Sequence, residues 1–179
     1  MPLVKDPPTN PITITVPEHM FVLGIDPGLS ATGYGLVEGS YPPTAHLAGV
    51  IRTDTSAAVP KRLVELYRGL TEVVAETKPD VVALETVFTN RNLQTAISVG
   101  RASGVALLVA AEAGLEVFEY VPTTIKSAVT GDGSANKEQV QQMLTRLLRL
   151  EGPPKPADAA DALAIALCHL RAAPLKASR

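Results

Sequence analysis

Cysteine is almost absent from this chain: Cys168 is the one thiol among 179 residues, so no internal disulfide can form. A lone thiol fits a reducing compartment, and a cytoplasmic location is the expectation. No apolar run reaches the roughly 18 to 20 residues that a membrane span takes. The best one, Val105 to Ala111, is interrupted by Glu112. The N-terminus lacks the compact apolar core and basic start of a signal peptide. Positive charge is in no surplus either. With 16 basic and 18 acidic side chains the net charge is −2, which argues against a protein that coats nucleic acid by bulk electrostatics. No His or Cys cluster offers itself to a soft metal, and no internal repeat is visible.

What is there suffices for one ordinary domain. A chain of this length hides roughly 70% of its unfolded surface on folding, and a hydrophobic fraction of 46% is normal for a globular protein. The charge is uneven. Residues 1–85 carry 6 basic and 10 acidic groups, residues 86–150 carry 6 and 5, and residues 151–179 carry 4 and 3. The middle and the end are therefore the less acidic parts.

Residues 1–19 hold Pro2, Pro7, Pro8, Pro11 and Pro17, a spacing that prevents regular structure. They read as a flexible extension, with Ile12 to Val16 as an alternative short edge strand. The fold is expected to begin at Met20 and run to residue 173, leaving 174–179 as a flexible tail. Phe21 to Ile25 is a short apolar run that ends on Asp26-Pro27-Gly28, a buried strand followed by a tight turn. Gly33 to Val37 and Leu47 to Ile51 resume strand character, which suggests an antiparallel meander. Pro60 opens a helix with Leu63, Leu66, Leu70 and Val73 at spacings of three and four. Val81 to Leu84 is a further strand, ending at Glu85. A helix from Leu93 to Ala113 stops at Gly114. Leu115 to Val121 is the fifth strand, and Pro122 opens a short helical turn. Ser134 is the expected N-cap of a helix to about Leu150, and a last helix runs from Asp158 to about Ala172. The pattern predicts an α/β fold: a mixed five-stranded sheet flanked by helices on both faces.

Carboxylates stand in three places where an apolar element meets a turn. Asp26 closes the first strand and Glu85 the fourth. Asp158 and Asp161 are three residues apart and share one helix face. Each has a plain structural explanation when taken singly. Asp before Pro-Gly is a common turn residue, Asp158 can cap its helix with Asp161 favoured by the helix dipole, and Glu85 can be a surface strand end. Taken together they suggest something else. If the first and fourth strands are parallel neighbours, Asp26 and Glu85 meet beyond the carboxyl edge of the sheet. Four clustered carboxylates cannot all stay ionised without cations, and hard divalent ions prefer oxygen ligands.

Gly24-Ile-Asp-Pro-Gly28 followed by Gly33-Tyr-Gly35, Ala83-Leu-Glu-Thr-Val-Phe88, Gly131-Asp-Gly-Ser-Ala-Asn-Lys137 and Ala157-Asp-Ala-Ala-Asp-Ala-Leu-Ala-Ile-Ala166 together resemble the RuvC family of bacterial Holliday junction resolvases. The likeness spans about residues 20–171 in order. It implies a ribonuclease-H-like fold, a homodimer, and cutting of two opposed strands of a four-way DNA junction in recombination and repair. It further implies two Mg²⁺ or Mn²⁺ ions per site held by Asp26, Glu85, Asp158 and Asp161, and the RuvA–RuvB branch-migration complex as a partner. Some relatives carry His at the position of Asp158.

Around these acids the resemblance marks possible DNA contacts. Phe88 is placed to stack on an unpaired base, or else to close the core beneath the strand end. Arg91 and Asn92 follow in the same loop, where Arg91 can reach phosphate or a base edge. Lys126 and Lys137 match basic positions near the scissile phosphate. A Lys in the opening turn of a helix works against the dipole, which favours a functional reading of Lys137. His169 reads as a cation at a helix C-terminus, and Cys168 as a small core residue. The long helix 93–113 is apolar almost all round, and Ile97, Ala102, Val105, Leu108 and Val109 with Gly100 and Gly104 are expected to form the dimer interface. Three other functions compete: an actin-like or sugar-kinase ATPase, a junction-binding protein without catalysis, and a related nuclease acting on RNA. The first needs a second phosphate-binding domain that the chain does not show, and the second would more naturally have lost an acid.

Overall fold

Alternation of side chains across the strands sorts the apolar residues into two layers, one on each face of a single sheet. The computed structural model describes residues 19–86 and 93–172. In chain order they form β1 (Phe21–Asp26), β2 (Ala31–Glu38), β3 (Thr44–Arg52), α1 (Val59–Thr77), β4 (Val81–Glu85), α2 (Leu93–Glu112), β5 (Glu116–Tyr120), α3 (Pro122–Thr130), α4 (Lys137–Leu147) and α5 (Ala157–Ala172). The sheet order is β3-β2-β1-β4-β5. The β1–β2 and β2–β3 pairs are antiparallel, as a meander requires, and the β1–β4 and β4–β5 pairs are parallel. This is the expected mixed five-stranded sheet.

Within β1, Leu23 and Ile25 join Leu66, Leu70 and Val82 in the core under α1 and α2. Val22 joins Val81, Ala83 and the α5 residues Ala160, Leu163 and Leu167 on the other face. Pro60 sits in the first turn of α1, where its missing N–H costs nothing. Leu66, Leu70 and Val73 are buried beneath that helix as their spacing predicts.

Four expectations need correction. The segment after Pro122 is a nine-residue helix, ended by Gly131 in the left-handed region, and not a single turn. The N-cap of α4 is Asn136 and not Ser134. Asn136 accepts the Gln139 N–H while the Gln139 side chain accepts the Asn136 N–H, a complete capping box. Ser134 is used one step earlier, donating its hydroxyl to Asp132. Helix α2, 20 residues from Leu93 to Glu112, is by length and composition apolar enough to cross a membrane, contrary to the expectation from unbroken apolar runs. It lies against α1 and β5 and buries Ala102, Ala106, Val109 and Ala110 in the core. Ala102 and Val109 therefore face inward and cannot be interface residues. Leu93, Ile97, Leu107 and Leu108 are exposed.

Candidate active site

The same alternation that builds the core decides where the carboxylates point. On β1 the even-numbered residues face α5: Val22 packs in that layer, and a Cβ placed on Gly24 would lie 2.0 Å from the Ala162 carbonyl oxygen. Asp26 is the next residue on that side. On β4 the odd-numbered residues Val81 and Ala83 face α5, so Glu85 does too. The parallel register pairs Gly24 with Ala83 and Ile25 with Leu84, and the next rung is Asp26 beside Glu85. Sequence position thus becomes a shared face and a shared edge.

Helix α5 brings the other two acids. It sits on the sheet through backbone because glycine lies beneath it. Gly33 is the cross-strand partner of Asp26, and a Cβ there would meet the Asp158 carbonyl oxygen at 2.0 Å. The first turn of α5 therefore lies directly over the Asp26–Gly33 pair. Asp158 stands one residue inside the helix, in its first turn, so it is not the N-cap.

The electrostatics record the convergence. Burial pushes the Asp26 carboxyl up to about 7, and Glu85, Asp161 and Asp158 push it the same way. Burial also raises Glu85, against the pull of its hydrogen bond with Asp26 and of Lys126 and Lys137. Two close anions in a half-dry site repel, so the Asp26–Glu85 hydrogen bond favours one proton between them, on the side of the raised Asp26. Four side chains that offer only oxygen suit a hard divalent cation. Among the described residues, no group of three or more His, Cys, Asp or Glu side chains is already gathered closely enough to enclose an ion. The shared proton and a lysine hold the cluster together instead.

That lysine is Lys137, the first residue of α4. Its Nζ donates to Asp161 Oδ2 at 2.9 Å, and this pairing raises the ammonium above its ordinary range. Lys126 on α3 reaches the same place. A cleft of about 270 Å³ is lined by Glu85, Asp161, Lys126 and Lys137 over a floor that includes Ile125 and Val140. Acid and base thus line one opening together. Phe88, Arg91 and Asn92 lie outside the described residues.

His169 is not a solvated helix-end cation. It is 2% exposed, hydrogen-bonded through Nδ1 to the Tyr120 hydroxyl at 2.8 Å and stacked at 4.4 Å on Phe118. Cys168 is fully buried beside it, as expected of a small apolar residue. Sequence reading also passed over Arg62, whose guanidinium reaches the turn that follows Asp26. The available signal was the one that singled out Lys137: a cation in the first turn of a helix, against the dipole.

The chain matches the family model described as "Crossover junction endodeoxyribonuclease RuvC" over residues 22–169. It is 53% identical to the crossover junction endodeoxyribonuclease RuvC of Salinispora arenicola, across 84% of this chain and 87% of that one. Its fold resembles T. thermophilus RuvC solved in complex with a Holliday junction substrate, with a TM-score of 0.81, 37% identity and coverage of 86% and 94% of the two chains. The fold alone is shared with the yeast mitochondrial Holliday junction resolvase Ydc2, at a TM-score of 0.59 and 16% identity over 85% and 79% of the chains. With residues 22–169 matched and 53% of the aligned residues shared with such a relative, this chain belongs to the RuvC family of crossover junction endodeoxyribonucleases.

Proposed function

We propose that this chain resolves four-way DNA junctions by paired, symmetric nicks, with Asp26, Glu85, Asp158 and Asp161 holding two Mg²⁺ or Mn²⁺ ions. The observation that carries the reading is the Asp26–Glu85 rung under the first turn of α5. It joins acids from three distant parts of the chain at one sheet edge. When bound, the ions supply a charge clamp on the scissile phosphate and a more acidic attacking water. The protein's own part is to hold those ions in register and to present cations to the phosphate. Lys126 and Lys137, which line the same cleft, serve the second purpose. The test is to incubate the protein with labelled four-way junctions, linear duplex and RNA in Mg²⁺ or Mn²⁺ and to map the cuts. Symmetric nicks confined to the junction are expected. Equal cutting of linear duplex, or a preference for RNA, would overturn the reading.

Lys126→Ala and Lys137→Ala are each expected to slow junction cleavage about tenfold or more while the fold survives. Loss of the Lys137–Asp161 pair costs little stability, because exposed ion pairs contribute at most about 1 kcal/mol. The slope of log affinity against log salt is expected to fall by about one unit for each lysine that neutralises a phosphate. Unchanged slopes and rates would reduce both to ordinary surface lysines.

Paired cuts call for two sites related by a twofold axis. Leu93, Ile97, Leu107 and Leu108 are exposed on α2, and nothing lies within 4 Å of where a Cβ would stand on Gly100 or Gly104. The spacing 93, 97, 100, 104, 107–108 traces one stripe along the helix, apolar and narrow enough for close approach of a second copy. A homodimer through this stripe is the proposed assembly. Leu108→Glu is expected to shift the sedimenting mass from dimer to monomer at micromolar concentration and to replace paired nicks by single ones. A variant that kept both the mass and the pairing would move the interface elsewhere.

A further inference from the structure

The polar side chains buried among the described residues are Thr32, Thr53 and His169. Two of these three grip the turn that connects β1 to β2. Thr32 donates its hydroxyl to the Gly28 carbonyl at 2.7 Å. Thr53 donates to the Leu29 carbonyl at 2.6 Å, and its backbone N–H reaches the Ser30 carbonyl at 3.3 Å. The Thr53 hydroxyl accepts from Arg62 Nε at 2.9 Å, while Arg62 Nη2 donates to the Ser30 hydroxyl at 2.8 Å. Leu29 itself is buried. The turn is thus held by side chains from β2, from the residue after β3 and from the first turn of α1.

The topology explains why these groups meet. Two successive antiparallel pairings make β3 run parallel to β1, so its C-terminal end and the start of α1 lie on the edge where Asp26 stands. The chain leaves that edge through Pro27-Gly28. Beyond the Asp26–Gly33 pair the ladder gives Asp26 no further support on the β2 side. Among the described residues no carboxylate lies within salt-bridge distance of Arg62. A guanidinium is spent on two hydroxyls, in a helix turn whose dipole disfavours it. Its rigid planar fork suits that task, and a lysine ammonium does not reproduce it.

We propose that Arg62 and Thr53 are positioning residues for cleavage: the Arg62–Thr53–Leu29 chain fixes the Pro27–Ser30 turn and so keeps Asp26 on the rung it shares with Glu85. The proposal rests on the reading of Asp26 as a metal-holding carboxylate. Groups that orient a metal ligand without touching the metal typically cost 10- to 100-fold in metal affinity or activity when removed.

The full chain is compared with Thr53→Val, Thr53→Ser, Arg62→Lys and Asp26→Asn. Mn²⁺ binding without DNA is measured by calorimetry, alongside the Mn²⁺ concentration for half-maximal cleavage and the melting temperature in chelator. Thr53→Val keeps the shape and removes the hydroxyl. Arg62→Lys keeps the charge and removes the fork. Both are expected to weaken Mn²⁺ binding and raise the metal requirement roughly tenfold, with junction affinity unchanged. Thr53→Ser restores the hydroxyl and is expected to stay within about twofold of the parent. Lower melting temperatures for Thr53→Val and Arg62→Lys with parental Mn²⁺ binding would overturn the proposal and leave a purely structural brace. Should Thr53→Val fail to fold, parental Mn²⁺ binding by Arg62→Lys would overturn it alone. Parental Mn²⁺ binding by Asp26→Asn would instead overturn the assignment of Asp26 itself.

Discussion

Replacing Asp26 by Asn, Glu85 by Gln or Asp161 by Asn is expected to lower junction cleavage about a thousandfold or more while junction binding stays within a few-fold. Each change keeps the shape of the side chain and removes an anionic ligand. The charge stabilisation that a well-held ion supplies in the transition state is worth several kcal/mol, and each 1.36 kcal/mol is tenfold in rate. Binding to the junction survives because it draws on cations elsewhere. Asp26→Asn carries a second signature in metal-free buffer. The folded protein holds the Asp26 proton up to about pH 7, whereas an unfolded Asp releases it near 3.9. Stability from that tighter proton is fully present below about pH 4 and is lost as the pH rises through about 7, where the folded site must ionise beside its neighbours. Asparagine does not titrate. Near pH 8 the variant is therefore expected to be more stable than the parent by on the order of 2 kcal/mol, a discounted figure because Glu85 shares the proton. The advantage should vanish near pH 4. Cleavage and thermal melting at the two pH values check both statements. Near-parental nicking would remove that residue from the site, and a melting difference equal at both pH values would remove the shared proton.

Gly33→Ala is expected to lower cleavage about a hundredfold. The added carbon would stand 2.0 Å from the Asp158 carbonyl oxygen and 2.5 Å from its carbon. These are backbone atoms inside a helix, so they cannot turn aside. Helix α5 must lift by about an ångström or tilt, and Asp158 and Asp161 move with it. A displacement of that size at a reacting centre costs about a hundredfold, and overpacking adds roughly 1–3 kcal/mol of lost stability. Gly35→Ala is the control. There the nearest atoms are two side-chain carbons of Leu163 at 2.9 Å, with the Leu163 backbone nitrogen at 3.0 Å, so α5 must give by tenths of an ångström and not by a whole one. Melting curves and cleavage rates on both variants decide the matter. Equal cleavage by the two would show that α5 does not set the position of its acids through this contact.

The acids stood out as candidates in the sequence because Asp26 and Glu85 end apolar strands and Asp158 and Asp161 open a helix that carries no other acid, and the family resemblance joined them. The parallel pairing of β1 with β4 was only a condition at that point, and the strand register supplies it. The seat of α5 was not legible. Glycine in a strand normally signals weakness, and only the approach of another backbone turns Gly24 and Gly33 into requirements. The N-cap of α4 was misassigned for a local reason. Ser134 and Asn136 are both good caps, and Asp132 claims the first before the helix begins. His169 misled because a helix-end cation and a buried ring partner look alike until β5 supplies Phe118 and Tyr120. The α2 stripe was half legible. Its excess of apolar residues was plain, but Ala102 and Val109 could be assigned to the core only once α1 and the sheet were in place.

The distribution of the acids along the chain also bears on when the enzyme comes into being. A ribosome delivers β1 and β4 well before α5, and a domain generally folds as a unit. A nascent chain holding Asp26 and Glu85 alone has two of four acids and an uncovered trough over Gly24, Gly33 and Gly35. The lid of that trough and the missing acids arrive in the same segment. If the four acids act as proposed, nuclease competence switches on with closure of the core, and a truncated or stalled product exposes apolar sheet without gaining the power to cut DNA.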